Sequence, residues 1–307
     1  EPMGDMDLDL FIRLMEQIPG IDSVETIFFG GIAEPMSHPD ILTMVKLAKE
    51  TRRRVELISN GSLLKEETIE SLLRAGLDRL WVSLDRNHRE SQEETAGETG
   101  GYYPLVKTLA AFRRLRFQIH PEAELSIVFV ATKSNIAELP EILEIGSFLG
   151  ASEIKVSNLI PYTREMQKEV LYTRTLSCGS MKEATGSSRK KLLSMPIMDF
   201  EQLPPEVLLT VLRDWPQLQL GKNRVVRDAG HCKFIEEESL YVRWDGEVSP
   251  CMAMLHTNRT YLQNVERIVR HHSFGNIKEE NLEFIWKKKE YEGFRRRVLD
   301  FSFSPCT

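Results

Sequence analysis

Strand-like and helix-like segments alternate along the first half of this sequence, and the alternation limits what the chain can fold into. Short apolar runs rich in β-branched and aromatic residues are separated by stretches whose apolar residues recur every three or four positions. Repeated βα units imply parallel strands covered by helices, so either a doubly wound sheet or a TIM-type barrel is expected. The pattern predicts strands at 25–29, 55–58, 79–84, 124–131 and 153–159, and helices at 7–18, 39–50, 65–75, 103–117 and 135–149.

The first predicted element is a helix, whereas a βα repeat begins with a strand. Glu1 is also not a methionine, and the sequence stops at Cys306 and Thr307. We therefore expect that a first strand is missing before residue 1 and that the chain is cut at both ends. The predicted fold class is α/β, a partial (βα)6 TIM-type barrel that lacks its first strand.

The second half of the sequence predicts a connector and then a small α+β domain. Residues 166–228 are polar and rich in proline, and 205–212 is the best short helix among them. Farther on, 240–243 and 246–249 predict a hairpin that turns at Asp245 and Gly246, and 282–298 predicts a helix. The predicted domains are thus 1–165 and 229–307.

Composition excludes several classes of protein. The chain has 40 Lys+Arg against 46 Asp+Glu, a formal net charge of -6, and this balance argues against nucleic-acid and anionic-membrane partners. No apolar run approaches the roughly 20 residues that span a bilayer. Four cysteines in 307 residues do not make a disulfide scaffold, so we expect a reducing, cytoplasmic location.

Polar or glycine residues follow every predicted strand. In parallel α/β folds, ligands bind at the carboxyl ends of the strands. Each of these segments alone is typical of a turn, but together they would form a ring suited to a ligand with an amino-acid end and a ribose. The segments are Gly30–Pro35, Ser59–Gly61, Ser83–Asp85, Thr132–Asn135 and Ser157–Asn158.

The cysteines indicate a metal site in the second half. The predicted hairpin brings Cys232 towards Cys251, and two thiolates there would make half of a metal or iron–sulfur site. Two alternatives stay open: the thiols are simply buried, or a zinc ion uses Cys232 and Cys251 with His231 and Cys306. Cys178 lies in the connector and is expected to be a bystander.

The order of these motifs resembles the radical S-adenosylmethionine (radical SAM) enzymes, and the tail resembles their SPASM/Twitch auxiliary-cluster domains. Within that family the chain is most similar to maturases, such as those of tungsten-cofactor oxidoreductases. The cysteine spacing, thirteen residues from Cys232 to Gly246 and four more to Cys251, fits the SPASM pattern. The motifs are Gly30–Pro35 (GGEP-like), Ile58–Ser62 (TNGT-like), Val82–Asp85 (SLD) and Val156–Pro161, with Gly275–Ile277, Ile285–Trp286 and Ser304–Cys306 in the tail.

The resemblance implies S-adenosylmethionine and a catalytic 4Fe–4S cluster as cofactors, with an auxiliary iron–sulfur cluster held by Cys232, Cys251 and Cys306. It also implies a 5′-deoxyadenosyl radical that abstracts hydrogen from a peptide or protein, with electrons from a flavodoxin or ferredoxin. The family's CxxxCxxC loop does not occur in this sequence, so we expect this chain alone to be inactive. The implied S-adenosylmethionine-binding residues are Gly30, Gly31, Glu34, Ser59, Asn60, Ser83, Asp85, Asn158 and Ile160.

Two other functions remain open at this point. A degenerate barrel could act as a binding module that docks a partner and cleaves no S-adenosylmethionine. Alternatively, a TIM-type lyase or isomerase could use Glu34, Asp85 and Lys133 as acid, base and electrophile without iron.

Overall fold

Six parallel strands form the main sheet of this protein. The computed structural model describes residues 4–84, 103–172, 193–194, 198, 203–214 and 232–300. The strands lie side by side in chain order, and their parallel register brings all the carboxyl ends to one edge. They are β1 (Thr26–Phe29), β2 (Arg54–Ser59), β3 (Arg79–Ser83), β4 (Glu124–Ala131), β5 (Glu153–Asn158) and β6 (Leu193–Ser194).

Helices connect the first five of these strands and cover one face of the sheet. Alternate strand residues such as Val55, Leu57 and Ile127 are fully buried against the helices. Strands in unbroken chain order, joined by crossovers of one hand, place every helix on the same face. This arrangement confirms the partial barrel and excludes a doubly wound sheet. The helices are α1 (Leu8–Met15), α2 (Ile41–Glu50), α3 (Glu66–Arg74), α4 (Tyr103–Ile119) and α5 (Leu139–Leu149).

Local sequence signals explain where several helices begin and end. The Asp7 carboxylate accepts hydrogen bonds from the backbone N–H groups of Asp9 and Leu10, so it caps α1. After α3, Gly76 adopts a positive φ of 91°, and the backbone N–H of Leu77 bonds the carbonyl of Leu72. That is the glycine-ended helix terminus expected from the sequence.

One predicted helix begins later than expected. The sequence predicts a helix over 135–149, but the structure has a 3-10 turn at Ile136–Glu138 followed by α5. Pro140 has no backbone N–H to donate to the carbonyl four residues earlier, so an α-helix cannot run through this point from Asn135.

The connector differs from its prediction. It contributes β6, which pairs in parallel with Ile154 and Lys155 of β5, where the sequence predicts only short helices. Two residues are too short a run for hydrophobic alternation to reveal a strand. The predicted short helix is confirmed as α6 (Pro205–Asp214).

The C-terminal part, residues 232–300, is a small α+β unit. The predicted hairpin is confirmed: β7 (Tyr241–Val242) and β8 (Val248–Ser249) pair antiparallel, and Gly246 adopts a φ of 94° in the turn. A short helix, α7 (Lys233–Glu236), precedes this hairpin.

A second hairpin in this unit escapes the sequence prediction. Strands β9 (Asn258–Leu262) and β10 (Val265–Val269) pair antiparallel. They are joined by Gln263 and Asn264, which both have a positive φ, as a two-residue hairpin turn requires. Gln-Asn is not one of the dipeptides that usually mark such turns, so the sequence signal is weak.

The predicted helix over 282–298 is two helices, α8 (Leu282–Trp286) and α9 (Lys289–Leu299). Lys288 interrupts the helix with an extended backbone. Its ammonium group turns inward and donates to the carbonyl of Phe274 at 2.9 Å and to the carboxylate of Glu280 at 2.5 Å. These tertiary bonds, absent from any local pattern, account for the break.

The barrel and the C-terminal unit share one hydrophobic core that runs from α1 through the sheet to α9. Polar contacts also join them. The backbone N–H of Leu282 bonds Gln17 Oε1 at 2.7 Å, and the N–H of Tyr261 bonds the carbonyl of Pro161 at 2.8 Å. Among the helices of the described ranges, none is long and apolar enough to cross a membrane.

Candidate functional site

The carboxyl edge of the sheet gathers the glycine and polar residues that the sequence singled out. Gly30 and Gly31 follow β1, Ser59 ends β2, Ser83 ends β3 and Asn158 ends β5. Because neighbouring strands are in parallel register, these positions lie along one rim.

The two glycines leave bare backbone at the end of β1. A methyl group on Gly30 would overlap the ring of Phe28 and lie 2.9 Å from Ile58 Cγ2. Gly31 has a φ of 147°, a conformation that side-chain-bearing residues rarely adopt, and no atom lies within 4 Å of a methyl group placed there. The backbone is therefore accessible to a ligand at a point where only glycine fits.

Glu34 ties the ends of β1 and β2 together. One carboxylate oxygen accepts from the backbone N–H of Met36 at 3.0 Å, and the other accepts from the N–H of Asn60 at 2.7 Å. Both bonds involve a charged acceptor, which makes them stronger than neutral hydrogen bonds. Glu34 thus fixes the loop after β2 against the loop after β1.

The loop after β2 is held by its own side chains. The hydroxyl of buried Ser59 accepts from the N–H of Gly61 at 3.0 Å. The amide oxygen of Asn60 accepts from the N–H of Ser62 at 2.9 Å and from its hydroxyl at 2.7 Å. Ser59 and Asn60 therefore shape this part of the rim.

The remaining predicted rim residues are only partly described. Ser83 and Asn158 are half-buried at the ends of β3 and β5, and Ile160 is half-buried just beyond β5. Lys133 is exposed, and its backbone N–H bonds the carbonyl of Glu169 at 2.9 Å. Asp85 lies outside the described residues.

The concave face of the sheet carries an ionic network that the sequence analysis missed. Arg54 bonds Glu56 and Glu124 at 2.6 Å each, and Arg79 bonds Glu124 at 2.9 Å. The indole N–H of Trp81 donates to Glu56 at 2.7 Å. Polar residues at every second strand position, as in Arg54 and Glu56, are the signal that could have revealed it.

The electrostatics of Glu124 follow from this network. Burial raises the pKa of this carboxyl, but hydrogen bonds and charge from Arg79 and then Arg54 outweigh it, so the net pKa is lowered. Since these groups lie towards the amino ends of the strands and pair with one another, the opposite, carboxyl rim is the better candidate for a ligand site.

The second candidate site lies around Cys251, directly after β8. The turn before it is held by Arg243, which bonds both carboxylate oxygens of Asp245 at 2.8 and 2.6 Å. Burial raises the pKa of Asp245, but Arg243 and the N–H of Glu247 lower it more, so it stays ionised. The Cys251 side chain is buried.

Helix α9 packs beside Cys251 and near the segment that begins at Cys232. Burial raises the pKa of Tyr291 above its usual range, the charge of Arg295 lowers it and Cys251 raises it. Arg295 in turn interacts with Glu238, at the end of the segment that Cys232 begins, and α7 packs against α9.

Neither Cys232 nor Cys251 forms a disulfide, and cysteine thiolates are the ligands that iron–sulfur clusters take. A hydrogen bond with Arg295 also acts on the buried Tyr291 hydroxyl and lowers its pKa in part. Within the described ranges no three His, Cys, Asp or Glu side chains are grouped as metal ligands. Cys306, Cys178 and His231 lie outside the described residues, so the three-cysteine site and the zinc alternative both remain predictions.

Two family models match the chain. A model described as the radical SAM superfamily matches residues 1–144. A second, SPASM, described as an iron–sulfur cluster-binding domain, matches residues 232–307. Their order along the chain is that of the barrel and the C-terminal unit.

Three known proteins illustrate the similarity. A tungsten-containing aldehyde ferredoxin oxidoreductase cofactor-modifying protein from Pyrococcus furiosus is 29% identical over 306 residues, 99% of this chain and 79% of that protein. PqqA peptide cyclase from Gluconobacter oxydans is 29% identical over 155 residues, 50% of this chain and only 41% of that protein. The structure of native anSMEcpe with bound AdoMet and Cp18Cys peptide has a TM-score of 0.60 at 13% identity, over 96% of this chain and 76% of that one; it shows a shared fold.

Proposed function

Since this chain belongs to the radical SAM superfamily and carries a SPASM-type iron–sulfur domain, we propose that it acts in the radical modification of a peptide or protein. The radical SAM domain uses S-adenosylmethionine and a 4Fe–4S cluster, and the SPASM domain binds auxiliary iron–sulfur clusters. A catalytic cluster would supply the electron for cleavage of S-adenosylmethionine to a 5′-deoxyadenosyl radical, and the proposed outcome is abstraction of hydrogen from the substrate.

The observation that carries this proposal is the rim built around Glu34. Its carboxylate fixes the ends of β1 and β2 relative to each other, while Gly30 and Gly31 expose the backbone beside it. Such a rim offers backbone hydrogen-bonding groups and a carboxylate to an amino-acid ligand. The residues proposed to bind S-adenosylmethionine are Gly30, Gly31, Glu34, Ser59, Asn60, Ser83, Asp85, Asn158 and Ile160.

The residues of this chain do not supply the catalytic cluster's ligands. Its four cysteines stand at 178, 232, 251 and 306, and no CxxxCxxC occurs among them. The contribution proposed for the barrel is therefore to bind and orient S-adenosylmethionine. Cys232, Cys251 and Cys306 are proposed as ligands of an auxiliary cluster. The proposed domain bounds are 1–165 for the barrel and 229–307 for the domain that holds these cysteines.

The substrate class is inferred from the relatives. One relative is named as a peptide cyclase, and its name supports the proposal of a peptide or protein substrate. Another is named as a cofactor-modifying protein of a tungsten enzyme, and it supports a maturase-like role. A flavodoxin or ferredoxin is the proposed electron donor. A cytoplasmic location is also proposed, because neither Cys232 nor Cys251 forms a disulfide.

The lyase or isomerase alternative gains no support from the site. An acid, a base and an electrophile must surround one substrate, and Glu34 lies in the loop after β1. Lys133 is exposed beyond β4, and β2 and β3 separate that strand from β1.

The proposed reaction is tested on a longer protein that contains this chain together with a CxxxCxxC loop, after its catalytic cluster has been reconstituted anaerobically. With dithionite and S-adenosylmethionine, we expect 5′-deoxyadenosine and methionine, detected by liquid chromatography and mass spectrometry. If neither product forms although spectroscopy shows a complete catalytic cluster, the radical proposal is wrong and the binding-module alternative gains support.

The rim is tested separately by Glu34→Gln. The NH2 group of the new amide would face one of the two backbone N–H groups that Glu34 now binds, so one or two charge-assisted hydrogen bonds would be lost. We therefore expect the affinity for S-adenosylmethionine, measured by equilibrium dialysis, to fall about tenfold or more. Glu25→Gln makes the same chemical change at an exposed position before β1 and should bind as the wild type does. Equal binding by both variants would contradict the assigned role of Glu34.

A further inference from the structure

The hairpin of β9 and β10 leaves one edge of β10 open. In the part of the chain that the structure describes, β10 pairs only with β9. Natural proteins often protect a free strand edge with a proline, a bulge or a covering segment. β10 contains no proline, its register with β9 has no bulge, and Val265 and Ile268 are 53% and 55% exposed. The edge is therefore accessible to another extended chain.

Alternate residues of β10 point their backbone groups towards this edge. The two residues that flank a two-residue hairpin turn exchange hydrogen bonds with each other, and so does every second pair along the strands. Leu262 and Val265 flank the turn and pair with each other. Glu266 and Ile268 occupy the alternate positions, so their N–H and carbonyl groups point away from β9. No backbone group of the described ranges outside the hairpin bonds to them.

The hairpin is fastened beside the rim at the end of β5. Tyr261 lies opposite Glu266, and its backbone N–H donates to the carbonyl of Pro161 at 2.8 Å. This bond agrees with the alternation, because the N–H groups of this pair point away from the partner strand. Pro161 comes directly after Ile160, one of the residues proposed to line the rim. Neighbouring strands lie about 4.7–4.9 Å apart, so a chain added to β10 would run about 14 Å from Pro161, three such spacings away.

The hairpin offers positive charge at this edge. One guanidinium nitrogen of Arg267 is buried without a hydrogen-bond partner in the described part of the chain, and so is the hydroxyl of Thr260, the residue opposite it. Buried polar groups usually have a partner. Arg270, directly after β10, is exposed, whereas the carboxylate of Glu266 is already paired with Arg259 at 3.5 Å. A carboxylate is therefore the group that complements this edge.

We propose that the open edge of β10 binds an extended, acidic segment of the peptide substrate as an added strand. This inference rests on the proposed function, in which the substrate is a peptide or protein. The backbone of the segment bonds Glu266 and Ile268, and a carboxylate of the segment pairs with Arg267. An extended chain rises about 3.4 Å per residue, so about four or five residues cross the distance of about 14 Å to the rim. The residue to be modified therefore lies at least that far along the substrate from the bound segment.

The first test uses the wild type and a defined probe, since backbone bonds give strand addition its affinity whatever the natural sequence. The probe is a fluorescent peptide of about eight residues, a common strand length, which alternates valine and threonine around one glutamate. We expect saturable binding by fluorescence anisotropy. N-methylation of one alternate set of amides should weaken binding about tenfold or more, and methylation of the other set should leave it unchanged. No binding, or equal effects of the two sets, would overturn strand addition.

Variants of the protein locate the bound strand. Ile268→Pro removes an outward N–H and no bond to β9, so the affinity for the probe should fall about tenfold or more, while Ile268→Val keeps that N–H and should bind as the wild type does. Arg267→Gln should weaken binding of the glutamate probe but not of the same peptide with glutamine. Arg259→Gln, the same change on the other strand, should alter neither. Equal affinities of the two Ile268 variants would overturn the edge, and equal effects of Arg267→Gln on both probes would overturn the acidic specificity.

Probe binding needs neither iron nor S-adenosylmethionine, so it is separate from the assay for 5′-deoxyadenosine. If the probe binds this edge but the longer protein forms no 5′-deoxyadenosine, the docking edge is supported and the proposed reaction is wrong. If 5′-deoxyadenosine forms but the probe does not bind, the proposed reaction is supported and the docking edge is overturned.

Discussion

Asp78 shows how single residues secure the scaffold away from the candidate sites. It precedes β3 and accepts from Lys49 at 2.7 and 2.6 Å and from the backbone N–H of Val55 at 2.8 Å, while His120 lies 3.3 Å away. Burial raises the pKa of Asp78, but the bonds from Lys49 and Val55 lower it more, so the net pKa lies below 3.8. The carboxylate joins α2, β2 and α4.

We expect Asp78→Asn to lower the free energy of unfolding by about 1.5–3 kcal/mol near pH 7, the range for hydrogen bonds to charged groups. The lowered pKa makes this contribution fully present above the unfolded-state pKa near 3.8 and lost as pH falls through the folded-state pKa. Urea unfolding at a series of pH values checks this: the difference between wild type and variant should shrink below about pH 4. A difference independent of pH would contradict the electrostatic origin.

Residue-scale features of the rim were only partly accessible from the sequence. The types and order of Gly30, Gly31 and Glu34 indicated a ligand-binding loop. The bond from Glu34 to the N–H of Asn60 spans 26 positions, and no local pattern encodes a contact of that separation.

At the scale of elements, two helical glycines have opposite surroundings. A methyl group on Gly146 of α5 would overlap Ile154 Cδ1 of β5 and lie 3.4 Å from Ile127 Cδ1 of β4. Gly293 of α9 has no atom within 4 Å of a methyl group placed there. Glycine at position 146 therefore allows α5 to pack closely on the sheet. No contact requires glycine at position 293, so a residue with a higher helix propensity would fit there.

We expect Gly146→Val to destabilise the protein by about 1–3 kcal/mol through overpacking. Gly293→Ala is the matched helical change without a clash and should stabilise by up to about 1 kcal/mol, because alanine favours helix over glycine. Chemical denaturation followed by circular dichroism measures both. Similar destabilisation by the two changes would show that packing against β4 and β5 is not what requires glycine in α5.

Elements were predicted well where their patterns are long. The first five strands and their helices carry enough alternating apolar residues to be recognised. Strand β6 has two residues, and the break between α8 and α9 depends on bonds from Lys288 to Phe274 and Glu280. Hydrophobic periodicity cannot reveal a strand of two residues or a helix break that depends on residues distant in sequence.

For the whole molecule, the shared core predicts cooperative unfolding. Leu282 of α8 is 3% exposed and belongs to the core cluster that includes α1 and the sheet. We expect Leu282→Ala to lower the free energy of unfolding by about 2–5 kcal/mol. The barrel and the C-terminal unit should still unfold in one thermal transition, at a lower temperature than in the wild type. Scanning calorimetry with coincident fluorescence and circular dichroism curves measures this.

Phe284 on the same helix provides the control, since it is 73% exposed. Phe284→Ala should change stability by no more than about 0.5 kcal/mol. Two separate transitions, with Leu282→Ala moving only one of them, would show that the units unfold independently in spite of their common core.

The sequence by itself determined the α/β alternation, the order of the rim motifs, the β7–β8 hairpin and the cysteine spacing, because these depend on period, turn chemistry and residues close in the chain. Only the tertiary structure decided that β6 extends the sheet, that the C-terminal unit shares the core of the barrel and that Lys288 separates α8 from α9. Those features come from contacts between residues distant in sequence, whose geometry is set by packing of the whole chain rather than by any local propensity.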